Sequence, residues 1–249
     1  MVILKSPQEI EKIRKACRVV ANVLEGVRTK VRAGITTKEL DDFAEQLIRD
    51  AGAKPAFKGY RGYPSTLCTS VNEQVVHGIP SKGVVLRPGD IISIDVGAVV
   101  DGFYGDAAIT VPVGSITNEA ERLIKVTEES LLKGIAEAIP GNRLYDISAA
   151  VQSHVEAHGF SVVREFVGHG IGRSLHEDPQ LPNFGSSGQG PRLKPGMVLA
   201  IEPMVNIGGS ATVTQEDNWT AVTADGSLSA HFEHTIAIMP DGPWILTKK

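Results

Sequence analysis

Apolar residues recur early in the chain at the three-to-four spacing of an amphipathic helix. Ile10, Ile13, Ala16, Cys17, Val20, Val23 and Leu24 form the first such stripe. Ser6-Pro7-Gln8-Glu9 precedes it, with a capping serine, a proline suited to the first helical position and a glutamate that completes a capping box. This predicts a helix to about Lys30 that stops near Gly34. Cys17 falls on its apolar face and reads as core. Thr36-Thr37-Lys38-Glu39 is a second capping box, opening a helix with Leu40, Phe43, Ala44, Leu47 and Ile48 inward and ending at Gly52. A third helix is expected from Asn118 with Glu121 as its cap, carrying Leu123, Ile124, Val126, Leu131, Ile135 and Ile139. A fourth covers about 144–158. Residues 53–65 and 178–194 are rich in Gly, Pro and aromatic or Ser residues and read as loops.

Elsewhere the period is two. In Ile91-Ile92-Ser93-Ile94-Asp95-Val96-Gly97, residues 92, 94 and 96 share one face of a strand and Ser93, Asp95 and Gly97 the other. Asp101-Gly102 is a turn signal, and Asp106 lies on the returning strand, which runs to about Val113. Further strands are expected at 66–71, 75–80, 161–166, 197–202, 204–207, 219–223, 231–239 and 244–247. A carboxylate on a hydrophobic strand is costly unless its charge is offset. Asp95 and Asp106 therefore either reach water or an arginine at strand ends, or share a cation. A dinuclear metal site offsets both charges together.

The pattern is written twice. Leu86-Arg87-Pro88-Gly89-Asp90-Ile91-Ile92-Ser93-Ile94-Asp95 aligns with Leu193-Lys194-Pro195-Gly196-Met197-Val198-Leu199-Ala200-Ile201-Glu202 at an offset of 107 residues. The same offset joins Gly34 to Gly141, Gly52 to Gly159 and Leu24 to Leu131. Each half then supplies two helices, a sheet and an equivalent carboxylate, Asp95 or Glu202. Packing about a pseudo-two-fold axis would bring these carboxylates together at the seam. Helix pairs followed by hairpins, without alternating βα units, argue for an α+β fold with antiparallel sheet. We expect a single catalytic domain over 1–249, with internal halves of about 1–113 and 114–249.

Composition narrows the class without deciding it. The chain has 249 residues, 42% hydrophobic and 22% charged, and a formal net charge of −4. No basic block marks a nucleic-acid partner. Two distant cysteines, Cys17 and Cys68, make no disulfide framework, and no CxxC pair suggests a zinc ribbon. There is no signal-peptide pattern and no membrane span, so a cytoplasmic protein that engages neither membrane nor nucleic acid is expected.

The remaining chemistry lies in the second half. His169 is flanked by glycines in Gly168-His169-Gly170, which reads as an irregular turn presenting the ring. Glu202 precedes Pro203 on a buried-looking strand, and Glu233 opens a strand in Phe232-Glu233-His234-Thr235. Asp95, Asp106, His169, Glu202 and Glu233 form a set of four carboxylates and one imidazole. Such ligands suit Mn, Fe(II), Co or Zn, and the absence of thiolates argues against a structural zinc site. Hydrolysis is the reaction to infer.

This order of motifs resembles the pita-bread metallopeptidases, and within them the bacterial type I methionine aminopeptidases, over essentially the whole chain. The resemblance implies a pseudo-two-fold pita-bread fold with helices outside an antiparallel sheet. It implies removal of the N-terminal methionine from nascent proteins and peptides with a small second residue, using two divalent metal ions. By similarity Asp95 would chelate one ion, Asp106 and Glu233 would bridge both, and His169 and Glu202 would bind the other. Glu202 would also take the proton of the nucleophilic water. His77, in Val76-His77-Gly78-Ile79-Pro80, and His176, in Ser174-Leu175-His176-Glu177, match the family's substrate-contacting and oxyanion-donating histidines. Tyr60, Tyr63, Cys68 and Trp219 match the methionine pocket, where thioether–aromatic contacts are favourable. Asn72 and Ser229 match a monovalent-cation site. Three positions depart from the pattern: Phe57 where a cysteine often stands, Leu175 where a phenylalanine does, and Gly97 in place of a threonine. They put pocket shape and metal preference in question, not the reaction class. A monomer acting at the ribosome on emerging chains is the expected setting. Two rivals remain: another aminopeptidase or a proline-directed peptidase of the same fold, and a binding module that has lost the chemistry.

Overall fold

The computed structural model describes residues 2–248. Helix α1 (Pro7–Arg28) starts on the Ser6/Glu9 capping box, and α2 (Thr37–Asp50) on the Thr36/Glu39 box, each with both reciprocal bonds formed. Strands β1 (Lys54–Pro55), β2 (Leu67–Val71) and β3 (Gln74–Val76) lead to the long hairpin of β4 (Ile91–Val100) and β5 (Phe103–Pro112). Asp101 and Gly102 both take positive φ, as a two-residue turn matched to the sheet twist requires. Helices α3 (Asn118–Ala136) and α4 (Leu144–Ala157) follow. The rest is cut into shorter strands: β6 (Ser161–Val162), β7 (Gly168–Gly170), β8 (Glu177–Leu181), β9 (Val198–Ile201), β10 (Met204–Asn206), β11 (Thr212–Thr214), β12 (Ala221–Thr223), β13 (Ser229–His231), β14 (Glu233–Met239) and β15 (Gly242–Ile245).

Nine strands form one antiparallel sheet in the order β1-β4-β5-β14-β9-β7-β8, with β2 against β4 and β15 against β14. Two three-stranded sheets, β13-β10-β6 and β11-β12-β3, flank it. Helices cover one face of the large sheet. Under α1 and α2 lie Ile92, Ile94, Val96 and Ala98; under α3 and α4 lie Leu199, Ile201, Ile236 and Ile238. Fully burying each such aliphatic side chain contributes about 1.5–3 kcal/mol, so these stripes fix which face of each strand turns inward. Ser93, Asp95 and Gly97 are left on the face away from the helices, as the alternation predicts.

The internal repeat is a repeat of hydrogen bonds. An isolated bridge joins Thr36 to Val85, and another, displaced by the same 107 residues, joins Arg143 to Arg192. The Gly34 N–H donates to the Leu86 carbonyl at 2.8 Å and the Gly141 N–H to the Leu193 carbonyl at 3.1 Å.

Five local expectations are corrected. The cap of α3 is Thr117, whose extended backbone lets its hydroxyl accept from the Ala120 N–H; Asn118 is the first helical residue. Ile139 lies past the end of that helix and is 40% exposed. The Gly-His-Gly segment is strand β7, not a turn. A Cβ at Gly168 would stand 2.5 Å from the Ala200 carbonyl oxygen, and one at Gly170 2.2 Å from that of Asp178, so these glycines admit neighbouring strands. One of those neighbours, β8, takes up the start of the expected 178–194 loop, with Pro179 on the terminal strand of the sheet path, where a missing N–H is tolerated. The single strand expected over 231–239 is broken at Phe232 into β13 and β14, which belong to different sheets.

Candidate active site

The strand register brings the five predicted ligands to one face. Asp95 pairs with Ala108, and Ala108 with Glu233, across β4, β5 and β14. Two residues along, Asp106 pairs with Gly97. His169 pairs with Ala200, which pairs with Thr235. Directly opposed residues and residues two apart share a face, so Asp95, Asp106, Glu233 and His169 point the same way. Glu202, two residues beyond Ala200, joins them just past the end of β9. The Thr235 hydroxyl accepts from the Asp106 N–H at 3.2 Å and donates to the Asp106 carbonyl at 2.7 Å, fixing that strand against β14.

These groups line a cavity of about 180 Å³. Pockets for whole small-molecule ligands run to about 300–1,000 Å³, so this space suits one side chain and the bond beside it. Its other walls are Phe57, Tyr60, Arg61, Tyr63, Cys68, His77, Leu175, His176 and Trp219. All four pocket residues expected from sequence are therefore present, as are both histidines. Tyr63 is held by donating to the carbonyls of Leu67 (2.9 Å) and Gly78 (3.0 Å), and its ring meets Trp219 edge-on at 5.1 Å. Asp217 fixes Trp219 in turn by accepting from its N–H. His77 stands at a φ of 62°, unusual for a non-glycine residue, between the edges of Phe166 and Trp219. His176, at the mouth, lies 2.8 Å from the Tyr60 hydroxyl through Nδ1.

The electrostatics point to a missing positive charge. Burial pushes the pKa of Asp106 well above the carboxylate range, and the charges of Glu233 and Asp95 push it further. Burial likewise raises Glu233, with Glu202 and Asp95 adding, and raises Glu202, with Asp95 and Asp106 adding. Asp95 is raised by burial also. Among the described residues no lysine or arginine pairs with any of the four. Asp95 Oδ1, Asp106 Oδ1 and Glu233 Oε1 are buried with no hydrogen-bond partner. His169 is lowered to about 3, first by burial and then by His176. Its Nδ1 donates to the Gly170 carbonyl at 2.9 Å, which leaves Nε2 with a bare lone pair 3.5 Å from Glu202 Oε1. Donor atoms of Asp106, His169 and Glu233 lie within 4.8 Å of one another. Orphaned carboxylate oxygens and a bare imidazole nitrogen facing one space fit a divalent metal centre.

Comparison with known proteins agrees. Residues 11–240 match Metallopeptidase family M24. The chain belongs to metallopeptidase family M24. Among its relatives, a methionine aminopeptidase of Clostridium perfringens (strain 13 / Type A) is 58% identical over 99% of each chain. Methionine aminopeptidase 1 of Bacillus subtilis (strain 168) is 56% identical over 100% of each. The crystal structure of methionine aminopeptidase from Thermotoga maritima covers 100% of both chains with a TM-score of 0.99 at 51% identity. The fold of this M24 chain is the pita-bread α+β fold, and its chemistry is metal-dependent hydrolysis.

Two of the departures are physically linked. A Cβ at Gly97 would stand 2.7 Å from the Phe57 ring and 2.8 Å from the Ala56 Cβ, so the ring occupies the space a larger residue 97 would take. Leu175 lines the same cavity and is buried. Asn72 and Ser229 lie outside the cavity wall and meet each other, the Ser229 N–H donating to the Asn72 carbonyl at 2.9 Å. Two residues near the M24 centre carry no role from sequence. Arg61 sits in an irregular turn whose pattern gives no direction. His231 is two residues before Glu233, so strand alternation could have flagged it as facing the same way. No helix among the described residues is long and apolar enough to cross a membrane.

Proposed function

We propose that this M24 peptidase is a methionine aminopeptidase that removes the initiator methionine from nascent proteins and peptides with a small second residue. One observation carries the reading: buried, unpartnered carboxylate oxygens and a bare imidazole nitrogen face a cavity sized for one side chain. Asp95, Asp106, His169, Glu202 and Glu233 would hold two divalent ions, of Mn, Fe(II), Co or Zn. Such ions supply Lewis acidity and a water of lowered pKa.

The protein's own groups do the rest. Glu202, whose pKa is raised by burial and by Asp95 and Asp106, is suited to accept the proton of the attacking water and return it to the leaving amine. His176 Nδ1 lies 2.8 Å from the Tyr60 hydroxyl; with that hydroxyl as donor the His176 proton sits on Nε2, where it can stabilise the developing oxyanion. His77 is lowered to about 4, mainly by burial, so it meets the scissile amide as a neutral ring. Tyr63, Cys68 and Trp219 form an apolar and sulfur-tolerant wall for the methionine thioether. The packed Tyr60 and His176 rings, 5.3 Å apart, crowd the mouth and favour a small second residue. We further assign residues 1–249 to one catalytic domain and the enzyme to the cytoplasm, a monomer meeting chains as they leave the ribosome. A monovalent cation at Asn72 and Ser229 completes the proposal.

The test uses metal-free protein titrated with Mn(II), Fe(II), Co(II) and Zn(II). Metal-dependent release of methionine from Met-Ala-Ser is expected, with little from Met-Leu-Ser and none from Ala-Ala-Ser. Cleavage of Ala-Ala-Ser as readily as Met-Ala-Ser would overturn the methionine specificity and keep the metal chemistry. A folded protein inert with every metal would overturn both.

A further inference from the structure

Glu202 is bracketed by two imidazoles. His169 Nε2 lies 3.5 Å from its Oε1, and His231 Nε2 lies 3.7 Å from its Oε2. The two rings cannot do the same thing. His169 spends its proton on the Gly170 carbonyl, so its Nε2 has none to give. His231 Nε2 is buried and makes no hydrogen bond. A buried imidazole nitrogen in a native core almost always has one.

The backbone of His231 is clamped. The Thr110 hydroxyl accepts from the His231 N–H at 2.9 Å and donates to its carbonyl at 2.8 Å, and Ser93 Oγ meets the same hydroxyl at 2.8 Å. On its other side His231 pairs with Met204, two residues beyond Glu202. Glu202 is anchored through its carbonyl, which accepts from Asn183 Nδ2 at 3.0 Å. Oε2 lies about half an ångström beyond hydrogen-bond range, and the terminal glutamate torsion is broad enough to allow such a shift while both backbones stay fixed.

We propose that His231 is a positioning residue for Glu202: its Nε2–H donates to Oε2 and leaves Oε1 turned to the His169 side. This rests on the reading of Glu202 as metal ligand and proton acceptor. The bond selects one carboxylate rotamer, so the oxygen that meets the metal and the water is always the same. Outer partners of this kind typically contribute about 10–100-fold in metal affinity or activity.

The experiment compares wild type, His231→Met, which keeps the bulk and loses the donor, and His231→Gln, which keeps an N–H donor. Metal-free protein is titrated with Co(II) by calorimetry, and kcat and KM are measured on Met-Ala-Ser. His231→Met should bind Co(II) about 10–100-fold more weakly and lose kcat with KM within about twofold. His231→Gln should return both to within about threefold of wild type. Wild-type Co(II) affinity and kcat in His231→Met, or loss in His231→Gln equal to that in His231→Met, would overturn the proposal. A second measurement needs no variant at position 231. In metal-free protein with ¹⁵N-labelled histidine, the His231 ring should carry its proton on Nε2, with a resonance that moves on Glu202→Gln. A proton on Nδ1 instead, or no shift, would overturn it. If wild type neither binds Co(II) nor cleaves Met-Ala-Ser, the ligand reading fails, and the tautomer still decides whether His231 holds Glu202.

Discussion

The two halves of the sheet present their carboxylates by different means. In the first, Asp95 and Asp106 project from ten-residue strands that stay in one sheet and are paired residue by residue from Ile91↔Pro112 to Val100↔Phe103. In the second, the equivalent chain changes sheets beside each glutamate. β9 ends at Ile201, Glu202-Pro203 leaves the large sheet, and β10 enters a three-stranded one. β13 and β14 make the reverse crossing at Phe232, whose N–H donates to the Pro203 carbonyl at 3.3 Å. Short aspartates suffice where a ladder fixes the backbone. Longer glutamates stand where it is interrupted, and side-chain bonds do the fixing beside them, from Asn183 to the Glu202 carbonyl and between Thr110 and the His231 backbone. The same repeat thus yields a frame on one side and an adjustable lever on the other.

The largest test of that contrast replaces one carboxylate from each half. Asp106→Asn should abolish metal-dependent cleavage, because the proposed centre would lose a buried carboxylate that faces both His169 and Glu233. It should also melt higher than wild type at pH 8 when metal-free, since it removes a charge that burial, Glu233 and Asp95 all oppose. Glu202→Gln should still bind metal, more weakly, and lose about 10²–10⁴-fold in kcat as a proton acceptor is removed. Calorimetric melts and peptide assays on both proteins check this. Equal residual activity in the two would mean that the halves do not divide the work this way.

Next in size is the pH dependence of the metal-free protein. Asp95, Asp106, Glu202 and Glu233 all have folded pKa values raised above their unfolded ones. Protons on them stabilise the fold, and that stability is lost as pH rises through the folded values. His77, His169 and His231 are lowered to about 4, 3 and 3, mainly by burial, so they act oppositely while the unfolded ring, with its value of 6.5, still holds a proton. Unfolded histidines are still half protonated at pH 6.5, and His176 and His234 are lowered as well, so the carboxylates dominate only from about pH 7.5 to 8.5, where the melting temperature should fall with rising pH by about 2–4 °C per kcal/mol lost. Saturating Mn(II) should flatten the slope. A melting temperature that rises over this range without metal would contradict the assignment.

The linked pair Phe57 and Gly97 probes the frame side. Gly97→Thr puts a side chain where the Phe57 ring lies and should cost about 1–3 kcal/mol by overpacking. Phe57→Ala in the same chain should recover much of that, a non-additivity expected of residues in contact. Denaturant melts of the two singles and the double give the coupling. Strict additivity would show that the ring moves aside freely.

What could be read from sequence divides along the same line. Helix starts at Ser6 and Thr36, the face of Asp95, the hairpin at Asp101-Gly102 and the 107-residue offset were all legible because each rests on a local rule: a capping box, a period of two, a turn dipeptide. The sheet changes at Pro203 and Phe232 were not: the proline marks a break at 203 and nothing marks one at 232, and in both places only tertiary pairing decides which sheet receives each strand. The Gly168-His169-Gly170 strand was hidden for the same reason. Its glycines mark close approach by Ala200 and Asp178, neither of which is near in sequence. Arg61 sits at a φ of 49° in a turn that no alternation describes. The donor set was visible as residue types, while its convergence is a product of register.

The smallest effects should come from the seam where the halves meet. Only Glu233 and His234 of β14 pair regularly with β5, opposite Ala108 and Ala107. On either side a threonine hydroxyl stands in for the ladder: Thr235 on the Asp106 backbone, Thr110 on that of His231. Replacing either by valine leaves a buried N–H and carbonyl without that partner and should cost about 1–3 kcal/mol. The two should differ in activity. Asp106 keeps its ten-residue pairing with β4, so Thr235→Val should leave kcat within about threefold. His231 lies on a three-residue strand, so Thr110→Val should loosen it and, through it, Glu202, with the larger fall in kcat. Amide hydrogen exchange at Asp106 and His231 reports the loosening directly, and should quicken more at His231 in Thr110→Val than at Asp106 in Thr235→Val. The opposite order would mean that the seam, and not the hairpin ladder, holds the aspartates in place.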